Sequence, residues 1–240
     1  MKPQPNHQEI VEKRGLKALG AGISNDAIYN ATARVIEEFN TSGGVLDFGA
    51  GLGHLTNRLV GMKRFQSVAA IDLMAKPDDV ASSVQWIRAD LNGPTPFPAK
   101  NFDVVVAIEI IEHLENPRRV LRELSRIVKP GGLLVISTPN SESLRSLLSL
   151  VIRGHFAAFG EESYPAHISA LLRVDFTRIF REAGLAPLGF RFTNVGGIPK
   201  SPAQSWQSLS FNTLRGRWFS DNVVAIARAP LENSHTIQSG

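Results

Sequence analysis

A chain of 240 residues, 43% of them apolar, is long enough for one domain with a sizeable core. The absence of cysteine excludes disulfides, thiolate metal sites and a cysteine nucleophile, and suits a reducing compartment. The net charge of +4 is modest, no apolar run approaches the ~20 residues of a membrane span, and residues 1–9 lack the apolar core of a secretory signal, so a soluble, cytoplasmic protein is expected.

In chain order, residues 1–20 read as a polar lead with a short helix, and 21–230 as a single domain. Residues 25–40 carry Ile28, Ala31, Val35, Ile36 and Phe39 at helical spacing, with Ser24 or Asn25 as N-cap. Val45 to Phe48 form a short buried strand that breaks into glycines at 49, 51 and 53, and a helix starts at about His54. Further strands are expected at 67–71, ending at Asp72, at 84–89, ending at Asp90, and at 101–108, leading into Glu109. A basic helix follows. It carries Arg118, Arg119, Arg122 and Arg126, with Val120, Leu121, Leu124, Ile127 and Val128 turned to the sheet. With no aromatic interleaving for stacked bases, this stripe reads as a solvated face, and nucleic acid is not favoured as a partner. Lys129-Pro130-Gly131-Gly132 ends the helix and turns the chain into a strand reaching Thr138. This alternation predicts a doubly wound, mostly parallel α/β sheet.

Beyond Asn140 the alternation lapses. Leu144, Leu147, Leu148, Leu150, Val151 and Ile152 suggest an amphipathic helix, followed by an aromatic, glycine-flanked stretch. Together they form a lid-like insertion at about 141–170. A helix at 171–182, a strand at 188–192 and a last strand at 222–227 complete the domain. Residues 194–220 carry no assignment, and the polar tail at 231–240 is expected to be disordered.

The glycine loop is the most informative segment. A dinucleotide fingerprint, G-x-G-x-x-G, would need glycine at position 54, where His54 stands. Asp47 would repel a pyrophosphate and suits a cationic ligand group. The pattern Asp47-x-Gly49-x-Gly51-x-Gly53 resembles the first motif of class I S-adenosylmethionine-dependent methyltransferases, whose cofactor carries an ammonium and a sulfonium. Asp72, at a strand tip some twenty residues on, is placed to accept hydrogen bonds from a ribose diol. The resemblance implies that Asp90 accepts the adenine amino group with Leu91 packed on the ring, and that Leu73 and Glu109 also line the cofactor.

The run F-D-V-V, then E-x-x-E-H-x-x-x-P at residues 109–117, then K-P-G-G and S-T-P-N, is similar to the ubiquinone-biosynthesis-type branch of small-molecule methyltransferases. The specific part of the resemblance spans about 43–140. It implies a Rossmann-like sheet of seven strands, the last antiparallel beside the fifth. It also implies methyl transfer from S-adenosylmethionine, most readily to an oxygen of a quinone precursor, another phenol or a cell-surface glycan sugar. Nitrogen and carbon acceptors stay open.

A hydroxyl acceptor must lose a proton, and histidine, with an ordinary pKa near ~6.5, is the suitable base. His113, just past the fourth strand, is the first candidate. His167, in the lid-like segment, is the second, and His54 is a rim residue. Glu109, Glu112 and His113 would share one face if this turn were helical, an arrangement able to take a divalent ion beside a catechol. Hard-oxygen ligands are few, and no metal is assigned. The alternatives are a non-catalytic cofactor-binding subunit of the same fold and an NAD-dependent reductase. Oligomeric state is not readable from the chain.

Overall fold

The computed structural model describes residues 26–199 and 201–232. The polar lead, its helix, the Ser24 or Asn25 cap and nearly all of the tail lie outside the described residues.

The first helix, α1 (Asp26–Glu38), buries Ile28, Ala31, Thr32, Val35 and Ile36. It is followed by β1 (Gly43–Phe48), α2 (His54–Gly61), β2 (Phe65–Asp72), β3 (Gln85–Arg88), β4 (Phe102–Ile108), α3 (Pro117–Ile127) and β5 (Val128–Pro139). The second half comprises α4 (Leu144–Arg153), α5 (Arg173–Glu182), β6 (Ala186–Phe192), the short hairpin β7 (Gly197–Ile198) and β8 (Ser201–Ser205), α6 (Trp206–Leu209) and β9 (Asn222–Arg228).

Seven strands form one sheet in the order β3-β2-β1-β4-β5-β9-β6. The first five pair in parallel, and β9 runs antiparallel between β5 and β6, as the resemblance implied. Strand alternation sorts the core onto two faces. Val45, Val104, Val106, Leu133 and Val135 pack with Ile36, Leu55 and Leu59 from α1 and α2. Leu46, Phe48, Val105 and Leu134 pack with Leu121, Leu124, Phe176 and Phe180 from α3 and α5. The sheet is thus covered on both sides, and ligands are left the carboxyl edge of its parallel strands. At the opposite edge the Asp103 carboxylate accepts from Gly44 N–H and from Lys129 Nζ, both at 2.7 Å, tying β1, β4 and β5 together.

Asn116 caps α3 by accepting the Arg119 N–H at 3.0 Å, and Pro117 occupies the first helical position. Val128 does not belong to the apolar face of α3. It is already extended, with ψ 140°, and opens β5, so Pro130, Gly131 and Gly132 lie inside the strand.

α4 forms where expected, capped by Ser143, but Ser146 is its one buried residue. Leu144 and Leu147 are half-buried, whereas Val151 and Ile152 are 82% and 74% exposed, so part of its apolar surface faces outward. One further expectation, on the motif 109–113, needs correction. The motif is not one helical turn. Glu109 stands alone at φ +52°, and a 3-10 turn spans Ile111–His113, so the face supposed for Glu109, Glu112 and His113 does not exist. Residues 194–220 contain β7, β8, α6 and a 3-10 turn at Arg217–Phe219. Among the described residues no helix is long and apolar enough to cross a membrane.

Candidate active site

The glycine loop joins β1 to α2 at the carboxyl edge. Gly53 has φ +75°, and an added Cβ would lie 2.2 Å from Val80 Cγ2, so any side chain there would be strained and would collide with the core. Gly51 differs. Its φ is +52°, but a Cβ would meet nothing within 4 Å, so the space above its backbone is open. The Gly51 N–H donates to Asp72 Oδ2 at 2.8 Å, and Met74 N–H donates to Asp72 Oδ1 at 2.9 Å. The two contacts hold the Asp72 carboxylate, at the end of β2, beside the loop with lone pairs to spare.

Asp47 lies beneath the loop and is 1% exposed. Its Oδ2 accepts the Thr56 hydroxyl at 2.6 Å, which fastens α2 to β1, and burial pushes its pKa up to about 7. Buried beneath the backbone, it presents no open contact to a ligand. Leu73 is half-buried, and its carbonyl accepts from Arg88 Nε at 2.9 Å. Asp90 is exposed at the next strand tip, with Oδ1 accepting Asn92 N–H at 2.9 Å. Leu91 is 6% exposed within the core cluster and supports this rim from below. His54 is exposed at the start of α2. An open glycine cradle flanked by acids suits a cationic nucleoside ligand.

Across the edge, Glu109 directly follows β4. Ser137 Oγ donates to its Oε1 at 2.7 Å and Asn222 Nδ2 to its Oε2 at 2.8 Å. Enclosure, and then the Glu112 carboxylate, push its pKa well above the usual carboxylate range. Asn222 arrives because β9 is antiparallel, so its first residue pairs with Pro139 at the carboxyl end of β5. Neither Ser137 nor Asn222 was singled out from the sequence. The S-T-P-N run was visible, but nothing local marks Asn222.

His113 and His167 meet. Their ring centroids are 4.9 Å apart at 62°. His113 Nδ1 lies 2.9 Å from the Ala166 carbonyl, and His167 Nδ1 lies 2.6 Å from the Ala158 carbonyl. A carbonyl only accepts, so each ring donates its Nδ1–H there, and His113 also has a backbone hydrogen bond to Glu109. Burial lowers both pKa values, and for His167 the neighbouring His113 lowers it further. Glu112 is fully buried. Its Oε2 accepts the Thr138 hydroxyl at 3.3 Å, and its Oε1 has no partner. Burial pushes its pKa up. Ligand atoms of Glu112, His113 and His167 all lie within 4.8 Å of one another. The Glu112 carbonyl also accepts from Ile168 and Ser169 N–H, at 2.9 and 3.1 Å, which fastens the insertion to this turn.

A family model described as a methyltransferase domain matches residues 25–188. The chain belongs to the S-adenosylmethionine-dependent methyltransferase family. Among relatives of this methyltransferase, the ubiquinone biosynthesis O-methyltransferase of Thiobacillus denitrificans is 30% identical over 149 residues. That match covers 59% of this chain and 63% of the relative, so the chain spans less than two thirds of that protein. The Bordetella avium protein of the same name is 29% identical over 70% of both chains. The crystal structure of the Burkholderia thailandensis 1,6-didemethyltoxoflavin-N1-methyltransferase, with bound 1,6-didemethyltoxoflavin and S-adenosylhomocysteine, superposes with a TM-score of 0.63. It covers 96% of this chain and 93% of its own at 15% identity, a likeness of fold. The open cradle at Gly51 and the acids around it fit S-adenosylmethionine, the family's cofactor.

Proposed function

We propose that this methyltransferase transfers a methyl group to an oxygen of a small-molecule acceptor. The observation that carries this reading is the facing pair of imidazoles, with ring centroids 4.9 Å apart and pKa values lowered by burial, at the rim past β4 where an acceptor would stand. When bound, S-adenosylmethionine supplies an electrophilic methyl group that needs no activation by protein. Asp72 would hold the ribose hydroxyls, Asp90 the adenine amino group, and the Gly49–Gly53 backbone with Asp47 beneath it the amino-acid end. Glu109, pinned by Ser137 and Asn222, forms a fixed wall between this pocket and the acceptor. His113 or His167 accepts the acceptor's hydroxyl proton at Nε2, while the Nδ1–H bonds to Ala166 and Ala158 hold the rings in place. The insertion covers the site and keeps water out, so positioning and electrostatics carry most of the rate.

A second reading places a divalent cation among Glu112 Oε1, His113 Nε2 and His167 Nε2, lowering the acceptor's pKa in place of a base. The unpartnered, buried Glu112 Oε1 favours it. Release of S-adenosylhomocysteine in the presence of a panel of phenols, catechols and sugars tests the main reading. Binding of S-adenosylhomocysteine without turnover of any acceptor would favour a non-catalytic subunit. Turnover that survives exhaustive chelation overturns the cation.

A further inference from the structure

Helix α4 turns its serines in and part of its apolar surface out. Ser146 is buried, its Oγ accepting the Ala157 N–H at 3.2 Å, and the Ser149 Oγ is buried as well. Leu148, Val151 and Ile152, spaced i, i+3 and i+4, share an exposed stripe. A helix that packs on a core in water directs such a stripe inward. An aromatic ring stands on the neighbouring element. The 3-10 turn Arg217–Phe219 packs against α4 and is anchored by Asn140 Nδ2, which donates to the Arg217 carbonyl at 2.7 Å. On that turn Trp218 is exposed, with the Arg217 guanidinium 4.1 Å from its ring centre.

The charges carried by these two segments have one sign. Residues 143–160 and 205–220 contain Arg145, Arg153, Arg215 and Arg217 and no aspartate or glutamate. Arg145 pairs with Asp221 at 3.0 Å, and Arg217 lies 4.0 Å from Glu142. Arg153, the last residue of α4, is exposed and pairs with no acid among the described residues. Exposed aliphatic side chains beside a tryptophan and unopposed arginine suit the headgroup layer of an anionic bilayer. There the aliphatics reach the acyl boundary, the indole lies at headgroup level and the guanidinium meets phosphate. Two other occupants fit less well. A second copy meeting this face across a twofold axis would set arginine against arginine, with no acid from either segment between them. Residues 1–25 of the chain carry four basic side chains and two acidic ones, the wrong sign for this face.

We propose that the outward face of α4, with the Arg217–Phe219 turn beside it, docks the protein on an anionic lipid surface. Val151 and Ile152 enter the acyl boundary, Trp218 lies among the headgroups and Arg153 meets a lipid phosphate. The protein rests on the bilayer and does not cross it. The docking is independent of which acceptor is methylated.

Vesicle flotation tests this, with phosphatidylcholine alone and with about 30% phosphatidylglycerol added to supply the negative surface potential. The protein should float with the phosphatidylglycerol vesicles and not with phosphatidylcholine, and high salt should weaken the binding. Val151→Asp with Ile152→Asp should weaken it by about tenfold or more, because two apolar side chains no longer enter the boundary. Arg153→Gln should weaken it about fivefold, the effect of one basic residue at an anionic surface. Arg122→Gln, at an exposed arginine of α3, should change it little. Each variant should melt as wild type does, since the side chains replaced are exposed. If the aspartates lower the melt, Val151→Ser with Ile152→Ser takes their place with the same expectation. Absence of flotation with phosphatidylglycerol overturns the proposal, as does undiminished flotation of the double variant. A loss in Arg122→Gln as large as that in Arg153→Gln overturns it too, because overall charge would then be the cause. Sedimentation without lipid supplies the last outcome. A dimer that the double variant converts to monomer would make this face a contact between copies and overturn the lipid surface.

Discussion

His113 and His167 come from separate segments and face each other with ring centroids 4.9 Å apart, each Nδ1 occupied by a backbone carbonyl of the insertion. The pair is therefore organised by the fold and not by either local sequence. It should behave as a unit. His113→Ala is expected to lower kcat by about 10²–10⁴-fold, the range for a general base, with affinity for S-adenosylhomocysteine unchanged. The double variant should lose little more than the worse single one, because side chains acting together are not additive. Single-turnover assays with isothermal titration of the cofactor product check this, and full activity in His113→Ala would dispose of the base.

Asp72 offers a test of the cofactor pocket itself. Its carboxylate accepts two backbone N–H groups, from Gly51 and Met74. Asp72→Ala is expected to weaken S-adenosylhomocysteine binding by about 1–3 kcal/mol, the value of a lost charged hydrogen bond. Unchanged affinity by titration calorimetry would remove Asp72 from the pocket.

The glycines should separate folding from binding. At Gly53 a Cβ would stand 2.2 Å from Val80 Cγ2, whereas at Gly51 it would enter open space. Both have positive φ, so each alanine substitution costs about 1–2 kcal/mol in backbone strain. Gly53→Ala adds a core collision and should melt clearly lower than Gly51→Ala. Gly51→Ala should fold and yet lose most of its affinity for S-adenosylhomocysteine. Thermal melts with and without that ligand decide it, and normal binding by Gly51→Ala would mean the open space is not the cofactor's.

The parts of this molecule legible in the sequence are those fixed by short-range spacing. The loop from Asp47 to Gly53 and the acids at the strand tips follow from a strand meeting a helix, and the structure keeps each at the carboxyl edge. The Glu109–Ser137–Asn222 set was not legible, because Asn222 reaches β4 only through the antiparallel return of β9. The meeting of His167 with His113 depends on how the insertion folds over the 3-10 turn, with the Glu112 carbonyl fastening it. At α4 the leucines at helical spacing suggest an amphipathic helix, and the helix forms with Leu144 and Leu147 half-buried. Among the described residues Val151 and Ile152 stay exposed, so the spacing gives the helix but not what covers these two.

Asp47 makes stability depend on pH in a direction opposite to that of most carboxylates. Its ordinary pKa of 3.8 rises to about 7 on folding because the group is buried. Between pH 4 and 7 the folded chain keeps a proton that the unfolded chain has released, so stability falls as pH rises through this window. The loss from Asp47 is at most roughly 4 kcal/mol, complete above its folded pKa. Glu109 and Glu112, also raised by burial, act with the same sign. Glu123 works the other way. Its bonds to Arg126 hold its pKa at about 2, so its contribution is present above about pH 4.5 and fades as pH falls toward 2. The melting temperature of the unliganded protein should therefore peak near pH 4–5 and drop by several degrees toward pH 8. In Asp47→Asn the amide oxygen still accepts the Thr56 hydroxyl but cannot ionise, so the alkaline drop should be shallower while the acid limb is unchanged. Differential scanning calorimetry across pH 3–8 makes the comparison. An alkaline drop equally steep in Asp47→Asn would show that the buried charge at Asp47 is not what the folded state resists.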